Sequence, residues 1–207
     1  FSIASCIIVT LETKERQWIT QTRRILSYGT DMWKLDRLND LSRRICATQP
    51  SFEVIDREYE KILKGPTYSP AVQCAVYAMT AGAFAVFFGG NLWDGFASLF
   101  VGALIRVTLY AFAAIHMKAI FSNILCSLIS GIACILVCYI GLGRHVEMIM
   151  IGNIMLLIPG VLMTNSFRDF ISGDMISGLL HFSEAMITAV CVAVGFIMSK
   201  MLLGGML

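Results

Sequence analysis

The chain has 207 residues, of which 57% are hydrophobic and only 14% are charged, a balance rarely found in a water-soluble domain of this length. Its formal net charge of +2 excludes the dense basic surface that nucleic-acid binding by counterion release requires. The seven cysteines lie mostly inside apolar runs without paired metal-ligand spacing, so we expect core residues, with no metal site, disulfide framework or cofactor.

The charged residues are concentrated in the first third of the chain. Residues 1–69 hold eleven Lys and Arg and nine Asp and Glu, whereas residues 70–207 hold five of each group. This change predicts a boundary near Pro66 to Pro70, between a small polar domain and a transmembrane domain. The sequence begins at Phe1 without a Met and shows no signal peptide, so we expect the first domain to be incomplete at its N-terminus.

The sequence of the first domain predicts an α/β fold. Residues 2–11 and 16–26 are rich in Ile, Val and Thr and flank a polar stretch, which predicts a β-hairpin. A helix capped by Asp31 is expected next, on the helical spacing of Leu35, Leu38, Leu41 and Ile45. A second helix begins after Ser51 and ends at Gly65-Pro66. Its expected buried stripe consists of Phe52, Ile55, Tyr59 and Ile62.

The remaining sequence predicts a bundle of transmembrane helices. Five apolar stretches are each long enough to cross roughly 30 Å of hydrocarbon, at residues 70–90, 95–115, 119–142, 148–167 and 175–198. The basic first domain lacks an export signal, so we expect it in the cytoplasm, with the chain in the cell (inner or plasma) membrane. An odd number of spans then places Leu207 outside.

Arg106 lies near the middle of the second predicted span, where an unpaired charge costs roughly 2.5–3.5 kcal/mol. Gly95, Ser98 and Gly102 share its helix face, and small residues at this spacing mark the approach of a neighbouring helix. We therefore expect Arg106 to point into the bundle. Its role is either a buried structural contact or the binding of an anion.

Glu184 lies near the middle of the fifth predicted span, within a polar stripe formed by Ser177, His181, Glu184 and Thr188. A carboxylate at this depth is typical of proton-coupled transport, although the stripe could instead hold helices together by hydrogen bonds. His181 and Glu184 have no further ligand at this depth, which argues against a metal site. Because Arg106 lies at a similar depth, we predict that it pairs with Glu184.

Pro159-Gly160 interrupts the fourth predicted span, since Pro159 has no amide proton to continue the helix. Transporters use such broken helices to present backbone groups to a substrate, although proline kinks also occur in ordinary membrane helices. Asn153 and Asn165 add polar groups on either side of the break.

Charge is concentrated between the last two predicted spans, at the expected cytoplasmic mouth. Asp174 follows Gly173 and is interpreted as the cap of the last helix. Arg168 and Asp169 are either a solvated loop pair or a gate.

The spacing of these residues resembles the signature of the threonine/serine exporter family (ThrE type). The matching elements are Pro159-Gly160, Asn165-x-x-Arg168-Asp169, Gly173-Asp174-x-x-Ser177-Gly178 and Glu184-Ala185. Leu35, Leu38, Asn39, Leu41 and Ser42 are similar to the family's N-terminal domain. Arg106 is not part of the pattern.

The resemblance implies an exporter of threonine and serine, or of dicarboxylates such as succinate, driven by the proton-motive force. It also implies a cytoplasmic α/β domain and five helices, with a second small polytopic membrane subunit as partner in the split form of the family. The protein is then an oligomer in the bilayer and not an enzyme. The alternatives are a passive channel and a membrane scaffold or enzyme subunit. Glu184 favours coupled transport over a channel. His181 and Glu184 alone are a weak indication of an enzyme active site.

Overall fold

The computed structural model of the protein describes residues 2–3, 6–13, 16–25, 31–66, 68–203 and 205. The chain divides into two compact units, Phe1–Tyr68 and Ser69–Leu207, where the charged part of the sequence gives way to the apolar part. The predicted location of Leu207 falls outside the described residues.

The first unit begins with a three-stranded antiparallel sheet in the order β1-β2-β3, with bounds β1 Ser2–Ile3, β2 Cys6–Glu12 and β3 Trp18–Arg24. The predicted hairpin is formed by β2 and β3, in which Cys6 is opposite Arg24 and Glu12 is opposite Trp18. The single strand predicted over residues 2–11 is wrong, because Ser2–Ile3 forms a separate strand that pairs antiparallel with β2, with Ile3 opposite Cys6. Ile3 continues the apolar, β-branched composition of β2, so composition did not separate the two strands.

Two helices complete the first unit, α1 Met32–Thr48 and α2 Phe52–Leu63. The side chain of Asp31 accepts a hydrogen bond from the Lys34 backbone N–H (3.1 Å), which confirms the predicted cap. Ser51 precedes α2 but makes no capping bond with its side chain. The buried stripe predicted for α2 is wrong in part: Ile62 is buried, whereas Phe52 is 87% exposed, because α1 covers only one side of α2.

In the second unit the described residues form six helices, α3 Pro70–Phe87, α4 Leu92–Ala114, α5 Ala119–Tyr139, α6 Val146–Ile154, α7 Gly160–Ile171 and α8 Met175–Leu203. Four of them, α3, α4, α5 and α8, are long and apolar enough to cross a membrane. They correspond to the first, second, third and fifth predicted spans. The protein is therefore mainly helical, and its second unit has the character of a membrane domain.

The predicted fourth span, residues 148–167, differs from the other four. It consists of α6 and α7, separated by residues 155–159, and neither half has the length of a membrane span. Pro159 precedes the first residue of α7 and ends the helical hydrogen-bond pattern there. The broken fourth helix is confirmed, whereas a bundle of five complete spans is not.

Glycines let neighbouring helices of the second unit approach closely. A Cβ atom at Gly102 of α4 would lie 2.7 Å from the Tyr77 carbonyl oxygen of α3. One at Gly195 of α8 would lie 2.6 Å from the Ile124 carbonyl oxygen of α5. The predicted small-residue face of α4 is therefore a helix contact, as expected of membrane helices.

Contacts between connections identify the two ends of the second unit. Asp94, near the start of α4, accepts a hydrogen bond from the backbone of Arg144, so the connections before α4 and α6 lie together at what we call the Asp94 end. Ala119, at the start of α5, and Leu180, near the start of α8, line one cavity. The connections before α5 and α8 therefore lie at the other end, which we call the Asp174 end.

Candidate functional site

The α7–α8 connection is built around Asp174. Its carboxylate accepts hydrogen bonds from the Ser177 backbone N–H (3.2 Å) and from the Ser177 hydroxyl (2.8 Å). Gly173 before it has a φ of +85°, a conformation that glycine adopts without strain. The capping interpretation of Asp174 is confirmed, and Ser177 is the partner of that cap.

A polar pair joins α7 to α8 one turn beyond this cap. Asp169 Oδ2 lies 2.9 Å from His181 Nδ1, and both side chains are largely buried. The Ser166 hydroxyl donates to the Gly178 carbonyl oxygen (2.8 Å), where the Phe170 ring packs against the glycine. The two helices are therefore tied by side-chain hydrogen bonds.

The structure pairs these residues differently from the sequence-based expectation. Arg168 and Asp169 were expected to act together, but adjacent residues on a helix point in different directions. Arg168 is exposed and forms no ion pair within the described part of the chain, whereas Asp169 faces His181. The ionisable partner of Asp169 thus comes from the polar stripe of α8, twelve residues later.

Glu184 lines a cavity of about 360 Å³ between α5 and α8. Its polar walls also include Asn123 of α5 and Ser183 and Thr188 of α8, and Ile120, Leu180 and other apolar side chains complete it. Glu184 is half-buried and is engaged in the structure. Asn123 was missed by the sequence analysis, although a lone Asn one turn into an apolar span is a signal that could have found it.

The helix break has an accessible backbone. The Gly160 N–H donates to the Ile158 carbonyl oxygen (2.8 Å) and the Met163 N–H to the Pro159 carbonyl oxygen (3.1 Å). No side chain caps α7, and a Cβ atom at Gly160 would meet nothing within 4 Å. The first turn of α7 therefore presents backbone N–H groups without intrahelical partners.

The two asparagines beside the break have different surroundings. Asn165 is half-buried on α7, within a turn of Asp169. Asn153 is completely buried on α6, which packs against α3 and α4, and its amide donates to the Ile149 carbonyl oxygen (2.8 Å). Its Oδ1 has no hydrogen-bond partner among the residues that the structure describes. Asn153 thus lies outside the group formed by α5, α7 and α8.

Arg106 is bound on the α3–α4 side of the unit. Its guanidinium donates from Nε (3.0 Å) and from a terminal nitrogen to Gln73 Oε1. The rings of Tyr77 and Tyr110 lie 5.9 and 5.7 Å from it, within the range of cation–π attraction. The predicted pair with Glu184 is wrong, because equal depth along two helices does not place them side by side: α4 packs on α3, α5 and α6, and α8 on α5 and α7.

A second carboxylate, Asp94, was not singled out from the sequence. It is fully buried at the start of α4 and accepts hydrogen bonds from the backbone N–H groups of Asn91 (2.9 Å), Arg144 (2.6 Å) and His145 (3.0 Å). His145 Nδ1 lies 2.8 Å from its other oxygen. The Asn91-x-x-Asp94 capping box was the available signal. Asp94 fastens the α5–α6 connection to α4 and has the character of a structural residue.

Within the described ranges no three His, Cys, Asp or Glu side chains come close enough together to hold a metal ion.

Comparison with known proteins identifies a family. No curated protein and no solved structure matches the sequence. Residues 1–203 match the family described as "Putative threonine/serine exporter". This match confirms the resemblance that the motif from Pro159 to Ala185 carries, and the chain belongs to the threonine/serine exporter family.

Proposed function

We propose that the chain is one subunit of a secondary exporter that moves threonine, serine or a small dicarboxylate out of the cell, driven by the proton-motive force. The observation that carries this proposal is the Glu184 cavity between two apolar membrane-type helices, which has a carboxylate and three uncharged polar side chains on its walls. Ionisable residues at membrane depth are costly and are typical of substrate and proton pathways.

The cavity suits a small polar solute. Its volume of about 360 Å³ lies within the roughly 300–1,000 Å³ common for small-molecule sites. Asn123, Ser183 and Thr188 supply amide and hydroxyl groups to the hydroxyl and charged groups of threonine or serine. Glu184 can hold the substrate ammonium when ionised and release it on taking up a proton, which would couple the two fluxes.

The substrate enters from the Asp174 end, which we place in the cytoplasm together with the first unit. Asp169 and His181 bridge α7 and α8 on the turn of α8 before Glu184, so a change in this pair would move the wall of the entrance. Asn165 and Arg168 flank the pair on α7, where Arg168 can attract a carboxylate. The free N–H groups that follow Pro159 are a second place for that carboxylate.

The architecture supports a fifth crossing formed by α6 and α7 together. α6 starts at the Asp94 end, and α7 ends beside Asp174, where α8 begins. The far end of α8 returns to α6, because Lys200 and Glu147 line one groove. A path of α6 and α7 from one end of the unit to the other agrees with the five-helix half that the family resemblance implies. We propose a second small polytopic subunit as the partner of this half.

Export by the Glu184→Gln variant tests the coupling role. We expect the variant to insert and fold, because Gln has nearly the size and shape of Glu and carries no charge to bury, but to export threonine at a rate that no longer changes with external pH. The assay is efflux of labelled threonine from preloaded cells or vesicles at several pH values. Glu53→Gln, on the exposed surface of α2, is the matched control and should behave as wild type.

Two results would contradict the proposal. Unchanged pH-dependent efflux by Glu184→Gln would leave Glu184 as a hydrogen-bonding contact between helices. Efflux of threonine down its gradient that is insensitive to pH in the wild type would favour a passive channel.

A further inference from the structure

A second cavity lies between α6 and the final turns of α8, away from Glu184. It has a volume of about 480 Å³, and we call it the α6–α8 groove. Its walls are almost entirely apolar and include Met150, Ile154, Ala193 and Ile197. Among the described residues, Glu147 and Lys200 are the ionisable ones on its walls.

The two charges stand at the same end of the groove. Glu147 lies in the first turn of α6 and Lys200 in the last turn of α8, both at the Asp94 end. Ile154 is seven residues from Glu147, and Ala193 is seven residues from Lys200, so the apolar walls extend roughly 10 Å inward from the charges. The groove is therefore polar at its mouth and apolar along its length, which is the profile of an amphiphile.

Both charges are available to a ligand. Glu147 and Lys200 are exposed and, among the described residues, form no ion pair with each other or with another side chain. The helix dipole favours an acid at the start of α6 and a base at the end of α8, and because both helix ends border the groove, the two opposite charges stand together at its mouth. A ligand with a phosphate and an ammonium group satisfies both at once.

We infer that the α6–α8 groove binds a phospholipid whose headgroup carries a phosphate and a primary ammonium, as phosphatidylethanolamine does. Lys200 donates to the phosphate, Glu147 accepts from the ammonium, and one acyl chain lies along Met150, Ile154 and Ala193. Its described walls between the two charges consist of apolar side chains, which suit an acyl chain better than a small polar solute. The inference is independent of the proposed export activity.

A partner helix is a poorer occupant than a lipid. A helix packed along the groove would withdraw Glu147 and Lys200 from water, and desolvating two charges is costly unless each finds an exact counterpart. A lipid headgroup leaves both charges at the hydrated interface, where charged and aromatic anchors normally lie.

Native mass spectrometry of the purified full chain in detergent, titrated with single lipids, tests the inference. We expect phosphatidylethanolamine to bind about tenfold more tightly than phosphatidylcholine, which lacks ammonium N–H donors, or phosphatidylglycerol, which lacks the ammonium. Lys200→Gln and Glu147→Gln should each remove this preference. Ala193→Phe retains both charges but fills the groove from an exposed position, and it should weaken binding of all three lipids.

The control is Lys118→Gln, an exposed lysine at the opposite end of the unit, which should leave the preference unchanged. Thermal unfolding of each variant in detergent establishes that it is folded before lipid is added. Equal binding of the three lipids by the wild type overturns the inference. If Ala193→Phe binds the three lipids as the wild type does, the lipid does not occupy the groove and the preference comes only from charge at the surface, which also overturns the inference. Displacement of the lipid by a second protein subunit overturns it as well.

Discussion

At the residue scale, Asp94 and Glu184 show two different environments of a carboxylate in the second unit. Asp94 is fully buried and its oxygens accept from three backbone N–H groups and face His145. Glu184 is half-buried on the wall of a cavity. A carboxylate saturated by backbone donors is held in place, whereas one that borders a cavity can exchange partners with a solute.

Asp94→Ala should destabilise the protein more than Asp174→Ala. Removal of Asp94 leaves three backbone N–H groups without their buried acceptor and should lower the free energy of unfolding by about 1–3 kcal/mol for each donor that stays unsatisfied. Asp174 caps α8 from a half-buried position, for which the usual cost of Ala is about 1 kcal/mol. Thermal unfolding of both variants in detergent provides the comparison, and an equal or smaller loss for Asp94→Ala would contradict the structural role.

Residue positions along the helices were predictable, but partners were not. Arg106 and Glu184 share a depth, which follows from counting residues, yet Arg106 contacts Gln73 and two tyrosine rings on α3 and α4. Asp169 contacts His181 rather than a group on its own helix. Helical spacing determines which side chains share a face, and only packing determines what that face meets.

At the element scale, the break between α6 and α7 separates two packing environments. α6 packs on α3, α4 and α5, while α7 packs on α8. The turn residues 155–158 redirect the chain between these neighbours, and Pro159 prevents the helical hydrogen bonds from re-forming. The break thus lets one segment of the chain pack both on the α3–α4–α5 side and on α8.

Pro159→Ala should reduce export without loss of folding. Alanine restores an amide proton and removes the ring collision, which in a helix interior is worth about 3 kcal/mol. The first turn of α7 then becomes part of a longer helix, and its N–H groups are no longer available to a substrate. Threonine efflux and thermal unfolding measured on the same preparation should show slower export with equal or higher stability.

Pro70→Ala is the matched control for this change. Pro70 is the first residue of α3, where the missing amide proton would have no intrahelical partner in any case. Its variant should export as wild type does. Normal export by Pro159→Ala would show that transport does not use the broken helix.

At the scale of the whole molecule, the charge split and the helix ends lead to one membrane topology. We expect five crossings, with residues 1–68 and the connection before α8 in the cytoplasm, because α6 and α7 together run from the Asp94 end to the Asp174 end. Reporter fusions after Tyr68, His116 and Gly173 should report a cytoplasmic location. Fusions after Gly89 and Gly143 should report the outside, and the opposite pattern or an even number of crossings would contradict the topology.

The sequence by itself determined the membrane class, the apolar helices, the Asp31 and Asp174 caps, the break at Pro159 and the family. These features depend on local chemistry: hydrophobic length, capping side chains and a missing amide proton act within a few residues of the chain. A family motif is likewise a matter of spacing along the sequence.

Only the tertiary structure decided the pairing of Asp169 with His181, the place of Asn123 beside Glu184, the burial of Asp94 and the antiparallel pairing of β1 with β2. It also separated Arg106 and Asn153 from the α5–α7–α8 site. Each of these depends on which helix or strand faces which across the fold. Apolar membrane helices present similar surfaces on several sides, so close approach at small residues such as Gly102 and Gly195 selects the neighbours.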